Sequence, residues 1–131
     1  MVAGGGTALA WAGRKLQLDS ESDDQRKGIE IVLHSLLEPL RQIVTNAGKD
    51  PEDILRRIAE IDDPRFGYDA RKNTFYDLIE NGVIDPVKVV RVALRNAASI
   101  AGLMMTTEAV IALDSNEAPT PGAGGHHHQH R

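Results

Sequence analysis

The sequence contains no cysteine, and aromatic residues make up only 4% of its 131 residues. Without thiols, the chain can form neither a disulfide framework nor a thiolate metal site, and it has no cysteine nucleophile. No basic residue precedes Arg14, and the uncharged, largely apolar run 96–107 is shorter than the roughly 20 residues of a membrane span. We therefore expect no secretory signal, no membrane helix and a cytoplasmic location.

The chain has no excess of positive charge, because its 15 basic residues are outnumbered by 19 acidic ones and its net charge is −4. Nucleic-acid surfaces need a concentrated basic stripe, so this balance argues against DNA or RNA as a partner. The remaining composition, 41% hydrophobic and 26% charged, is that of one globular domain with an aliphatic core.

Apolar residues at helical spacing predict four main helices, of which the first covers 7–18 with Thr7 as its N-cap. The second runs from Asp24 to a left-handed cap at Gly48. Proline removes a backbone donor and crowds the preceding turn, so Pro39 predicts a kink inside this second helix.

The third and fourth helices have clear start signals. Asp50 is the expected N-cap of the third helix, with Pro51 at its first position, and Asp85 is the expected N-cap of the fourth, which covers 86–113. The third helix is expected to bury Ile54, Leu55, Ile58 and Ile61. The fourth is expected to bury Val89, Val92, Ala93, Ala97, Ile100, Ala101, Met104 and Ile111.

Between the third and fourth helices the helical period fails. Short aromatic-bearing runs at 66–70 and 74–78 predict a β-hairpin, followed by a helical turn that Gly82 closes. The fold class is therefore mainly α, a bundle of four main helices with a small β-hairpin. We expect one structural unit over 1–112 and a disordered Gly/Pro/His-rich tail over 113–131.

Two features could carry chemistry. The glycine run 4–6 precedes a helix, and exposed amides at a helix N-terminus attract phosphate, although the run lacks the Lys-Ser/Thr of a P-loop and also fits a flexible entry to the helix. Asp85 is first a capping residue, but a carboxylate at a loop mouth can also hold ribose hydroxyls or a metal. Both alternatives stay open on the residue pattern alone.

The histidines offer weaker candidates. His126, His127, His128 and His130 could bind a divalent metal adventitiously, but they lie in the tail without a fixed geometry. The lone His34 is more typical of a surface or core position than of a catalyst. No plausible Ser-His-Asp set is present, so the sequence predicts no catalytic residue. It also predicts no metal site with a fixed geometry.

Five blocks, in order, change this interpretation: VAGGGTAL (2–9), PLRQIV (39–44), GYDA (67–70), GVIDPVKV (82–89) and AASIAGLMMTTE (97–108). Together they resemble the group I, GroEL-type chaperonins. The resemblance implies the C-terminal part of the equatorial domain, which in that family supplies one wall of the ATP site.

The resemblance also assigns site residues to ATP. Gly4 and Gly5 approach the nucleotide, Asp69 and Ala70 lie at the adenine, Val83 packs on the base and Asp85 takes the ribose hydroxyls. Arg71 adjoins this set at a position that is usually a small residue in the family. The family resemblance thus implies that three distant segments converge on one purine-nucleotide cleft.

The 131 residues lack the family's phosphate-binding Asp-Gly-Thr-Thr-Thr run and its catalytic aspartate. We therefore expect no ATP hydrolysis from this chain alone, with the Mg²⁺ and phosphate contacts supplied by parts outside it. The implied function is that of a fragment or truncated form of an ATP-dependent chaperonin subunit, with ring contacts to other subunits in a homo-oligomer, a co-chaperonin and unfolded client proteins.

The alternative is a non-catalytic interaction module that docks to chaperonin subunits or other partners through an exposed apolar helix face. The last helix is expected to leave that face uncovered in the chain alone, because its packing partners lie outside these residues.

Overall fold

A computed structural model describes residues 1–107 of the chain. In these residues it contains five helices and four short strands: β1 (Val2–Ala3), α1 (Thr7–Lys15), α2 (Asp23–Ser35), α3 (Glu38–Asn46), α4 (Pro51–Glu60), β2 (Phe66–Asp69), β3 (Thr74–Asp77), β4 (Ile84–Asp85) and α5 (Val87–Thr106). The predicted fold class, mainly helical with a small β part, is confirmed. The predicted tail over 113–131 and the last residues of the predicted fourth helix lie outside the described residues.

The predicted second helix is divided in two, which corrects the kink that we placed at Pro39. Proline cannot donate to the carbonyl four residues earlier, and its ring crowds that carbonyl. The residue four positions before Pro39 is Ser35, where α2 ends, and Pro39 lies in the first turn of α3. Leu36 between the two helices is buried, so the break is packed against the rest of the protein.

Helix boundaries follow the sequence signals in part. Asp50 caps α4 by accepting a hydrogen bond from the Glu52 amide at 3.0 Å, and Gly48 has a φ of 73°, so both predictions are confirmed. The N-cap of α1 is Gly6 rather than Thr7, whose side chain is buried inside the protein. The prediction that Ile61 is buried is wrong, because α4 ends before it and Ile61 is exposed.

The hairpin prediction is confirmed, since β2 pairs antiparallel with β3 and places Phe66 opposite Asp77. A second pairing, β1 with β4, joins the start of the chain to the segment just before α5 and was not predicted. Strands of two residues carry no alternation in the sequence, so only the folded arrangement reveals them.

The core lies between α1, α3, α4 and the hairpin. Its buried residues are Ala10, Leu40, Val44, Ile54, Ile58 and Tyr68. Five of these six residues are aliphatic, as the scarcity of aromatic residues predicted.

Helix α5 departs most from expectation. None of its residues is buried, and the predicted buried face is exposed at every position up to Met104, including Val89 at 60%, Ile100 at 61% and Met104 at 60%; Ile111 lies outside the described residues. The helical period is present, but nothing in residues 1–107 covers the apolar side. The uncovered apolar face that we predicted for the chain alone is therefore present.

Within the described residues, none of the helices combines the length and apolar character that crossing a bilayer demands.

Candidate nucleotide site

The three segments that sequence analysis brought together do meet in space. They line one cleft of about 310 Å³, at the low end of the roughly 300–1,000 Å³ typical of small-molecule sites. All the residues assigned to ATP by resemblance line it: Gly4, Gly5, Asp69, Ala70, Arg71, Val83 and Asp85. The geometry thus gathers the predicted set, while its role in binding ATP stays a prediction.

The glycine run forms the first wall of the cleft, and the segment that ends at Asp85 forms the third. Backbone pairing joins these two walls directly. The Gly4 amide donates to the Val83 carbonyl at 2.9 Å, and the antiparallel register places Val2 opposite Asp85. A Cβ added to Gly4 would lie 3.2 Å from the Val83 carbonyl carbon and oxygen, so a side chain there would push the walls apart. The glycine therefore sets the width of the cleft at this point.

The chain then turns sharply into α1. Gly5 and Gly6 have φ values of 64° and 76°, a region that residues with a Cβ seldom adopt. The Thr7 amide donates back to the Gly4 carbonyl at 3.1 Å, and no side chain caps the helix. Helix N-terminal amides without a side-chain cap favour an anionic group.

The hairpin end forms the second wall, and Asp69 holds its turn together. Its carboxylate accepts hydrogen bonds from the Arg71 amide at 2.9 Å, the Lys72 amide at 3.2 Å and the Tyr76 hydroxyl. These bonds, above all the one from Tyr76, lower the pKa of the Asp69 carboxyl below its ordinary value, and they outweigh the opposing effect of burial. Asp69 is only 5% exposed. Because its pKa is lowered, its carboxyl group is charged at neutral pH.

Asp85 belongs to the third wall of the cleft. Our prediction that it caps the last helix is wrong. Helix α5 starts at Val87 with Pro86 in the N-cap position, and Asp85 instead belongs to strand β4. The pairing with Val2 fixes its backbone, and its half-buried side chain lines the cleft. A carboxylate in this place is suited to accept hydrogen bonds from hydroxyl groups of a ligand.

Arg71 is exposed, and the cleft remains open beside it. Sequence analysis missed four further lining residues: Ile43, Tyr68, Gly82 and Ile84. All four lie within the sequence blocks that carry the resemblance, so the signal was present but unassigned.

A larger depression of about 600 Å³ lies along α2 and includes Lys27, Ile31 and His34. It is an open helix surface and contains none of the predicted site residues. Among residues 1–107, no group of three or more His, Asp or Glu side chains is placed to hold a metal ion. The four histidines of the tail lie outside the described residues.

Comparison with known proteins finds related chains. The TCP-1/cpn60 chaperonin family matches residues 1–115. Chaperonin GroEL 2 from Albidiferax ferrireducens is 50% identical over 126 residues, which cover 95% of this chain and 23% of that protein. An open-state monomer of a group II chaperonin from Methanococcoides burtonii aligns with a TM-score of 0.68 and 25% identity, covering 79% of this chain and 27% of that one. The chain therefore spans less than a third of the length of either relative.

Proposed function

Since the chain belongs to the TCP-1/cpn60 chaperonin family, we propose that it forms one wall of the ATP site of a GroEL-type chaperonin subunit. The observation that carries this proposal is the convergence of the glycine run, the hairpin end and Asp85 on one cleft. The family is one of chaperonins, which assist protein folding. ATP as the ligand, ring contacts with other subunits, a co-chaperonin, client proteins and a cytoplasmic location are part of our proposal.

The residues present fit part of a nucleotide. Asp85 offers carboxylate oxygens to ribose hydroxyls, Val83 offers an apolar side chain to a base, and the uncapped start of α1 offers amides to an anionic group. The described residues hold no acidic cluster for Mg²⁺. We therefore propose that the Mg²⁺ and most phosphate contacts come from chaperonin segments other than these residues.

Replacing Asp85 with alanine tests the proposal. We expect the affinity for a non-hydrolysable ATP analogue to fall at least about tenfold, because a charge-assisted hydrogen bond to a ribose hydroxyl contributes about 1.5–3 kcal/mol and about 1.4 kcal/mol is tenfold. Titration calorimetry of the full chain, alone and mixed with a GroEL-type equatorial segment carrying the phosphate-binding run, measures the change.

Glu60→Gln provides the matched control, since Glu60 is an exposed carboxylate at the end of α4 and lies outside the cleft. It should leave the affinity unchanged. Equal affinity for wild type and Asp85→Ala, or no binding in either the isolated or the mixed sample, would contradict the proposed site.

Helix α5 favours a second candidate function, that of an interaction module. Its C-terminal half exposes Ile100 at 61%, Leu103 at 68% and Met105 at 86%, and exposed apolar surface of this kind marks an interface. A partner that covers this face would be another chaperonin segment or another subunit. Assembly onto such a partner without any nucleotide affinity would favour this candidate over the first.

The exposed face makes a direct prediction about the isolated chain. We expect it to self-associate, and we expect Leu103→Glu to weaken association at least tenfold, since burying a leucine contributes about 1.5–3 kcal/mol and about 1.4 kcal/mol is tenfold. Sedimentation velocity over a concentration series measures the effect. Leu18→Glu, at a similarly exposed leucine (55%) away from α5, serves as the control. A monomeric wild-type chain with a sharp thermal transition would refute the prediction.

A further inference from the structure

Tyr76 is a residue of the hairpin that the proposed function does not use. It lies on β3, half-buried, two positions along from Thr74, which is the register partner of Asp69. Diagonal neighbours of this kind are within reach of long side chains on one face of an antiparallel pair. Its hydroxyl donates to Asp69 Oδ2, while Asp69 Oδ1 accepts from the amides of Arg71 and Lys72.

Asp69 and Tyr76 differ in their position relative to the cleft. Asp69, Ala70 and Arg71 line the cleft, whereas Tyr76 does not. Tyr76 is nevertheless bonded to the carboxylate that holds the amides of the turn. The hydroxyl of Tyr76 therefore acts on the cleft through Asp69, the residue to which it donates.

We propose that Tyr76 is a positioning residue of the cleft, which fixes the Asp69 carboxylate so that it clamps the turn at Arg71 and Lys72. The proposal rests on the proposed function for its ligand, an adenine nucleotide, but the clamp itself is a property of the free chain. Without the phenol, Asp69 Oδ2 has to find water or rotate, and the wall formed by Ala70 and Arg71 loses its fixed position.

The surrounding charges agree with a charged Asp69. Lys72 Nζ lies 5.6 Å from the centre of the Tyr76 ring, and its charge also lowers the pKa of the Asp69 carboxyl. In turn, the Asp69 carboxylate raises the pKa of the Tyr76 phenol, because the neutral hydroxyl is the donor.

Tyr76→Phe tests the clamp in the nucleotide-free full chain, because it removes the hydroxyl and keeps the ring. We expect hydrogen exchange at the Arg71 and Lys72 amides to accelerate about tenfold relative to amides in α4, since a charge-assisted bond is lost nearby. Affinity for the non-hydrolysable ATP analogue should fall about three- to tenfold in the same variant, because the clamped wall faces the ligand.

Asp77→Asn is the matched control. Asp77 also accepts a backbone amide, that of Glu80 at 2.9 Å, and pairs with Arg65 at 2.8 Å, but it lies at the other end of β3 and does not line the cleft. We expect it to destabilise the hairpin without changing the relative exchange at Arg71 and Lys72 or the affinity for the analogue. A second variant, Asp69→Asn, should lower the pH at which Tyr76 ionises in a spectrophotometric titration, a signature that a purely steric role for Tyr76 does not produce.

Unchanged exchange at the two amides in Tyr76→Phe overturns the proposal, whether or not a nucleotide binds. Faster exchange with unchanged affinity also overturns it, because the pair would then serve the hairpin alone. If the wild-type chain binds no analogue, the proposed function fails, and faster exchange in Tyr76→Phe would still support the clamp.

Discussion

The Gly6→Ala variant is expected to lose about 2–5 kcal/mol of stability, from about 1–2 kcal/mol for a left-handed alanine and about 1–3 kcal/mol for overpacking. Gly6 has a φ of 76°, and a Cβ there would lie 2.7 Å from the Leu40 amide nitrogen and 2.9 Å from its Cα. Both are backbone atoms of α3, which cannot rotate away as a side chain would. The loss is a large share of the about 5–15 kcal/mol that stabilises a typical domain, so the turn at the cleft should open and the ATP analogue should no longer bind.

Urea unfolding followed by circular dichroism measures this loss as a shift in midpoint. Gly28→Ala is the control, since Gly28 is an exposed position of α2 and nothing lies within 4 Å of a Cβ there. Alanine is the better helix former by about 0.5–1 kcal/mol, so this variant should gain stability. Equal midpoints for Gly6→Ala and wild type would mean that α1 does not approach α3 as closely as described.

The elements that could be predicted were those with strong local signals. Asp50 followed by Pro51 marked the start of α4, and the aromatic runs on either side of Asn73 marked the hairpin, in which Asn73 has a φ of 51°. These structures form through short-range hydrogen bonding and backbone preference, which a sequence displays directly. The convergence of the site residues came from the family resemblance, because the pairing of Ala3 with Ile84 links positions about 80 apart and leaves no local signal.

The errors arose where one local rule competed with another. Asp85 before a proline has the pattern of a helix cap, but Pro86 is itself extended, with a ψ of 131°, so the helix starts only at Val87. Pro39 was predicted to kink one helix, but α2 ends at Ser35 and a new helix begins at Glu38, with Leu36 buried in the junction. The exposed face of α5 has a third cause, since helical period indicates an apolar side but not whether a partner is present.

The Asp69–Tyr76 pair shows why side-chain chemistry at the site was harder to predict than its location. The resemblance placed Asp69 at the base as an acceptor. In the structure its carboxylate already accepts three hydrogen bonds from the hairpin. A carboxylate has about four acceptor sites, so a further bond to a ligand is compatible with this arrangement. In the free chain, the hydrogen bonds that Asp69 accepts are nevertheless all from the hairpin and its turn.

Tyr68→Ala is the second variant for which a large effect is expected, because Tyr68 joins the core to the cleft. It is only 2% exposed, belongs to the core cluster and lines the cleft, and its ring centre lies 5.2 Å from that of Phe75. Truncating a buried aromatic side chain to alanine costs about 3–5 kcal/mol through lost burial and the cavity that remains. We expect the hairpin to detach from α4 and the analogue to bind no longer.

Tyr68→Phe separates the ring from the hydroxyl, which donates to Asn73 Oδ1 at 2.8 Å. This variant should lose only about 0.5–1.5 kcal/mol, the net contribution of one hydrogen bond, because Asn73 is exposed and water can replace the phenol. Met105→Ala, at a side chain that is 86% exposed, should stay within about 0.5 kcal/mol of wild type. If Tyr68→Ala and Tyr68→Phe had the same midpoint in urea, the ring would not be packed between the hairpin and the helices, and the hairpin wall of the cleft would lack the support that the proposed site requires.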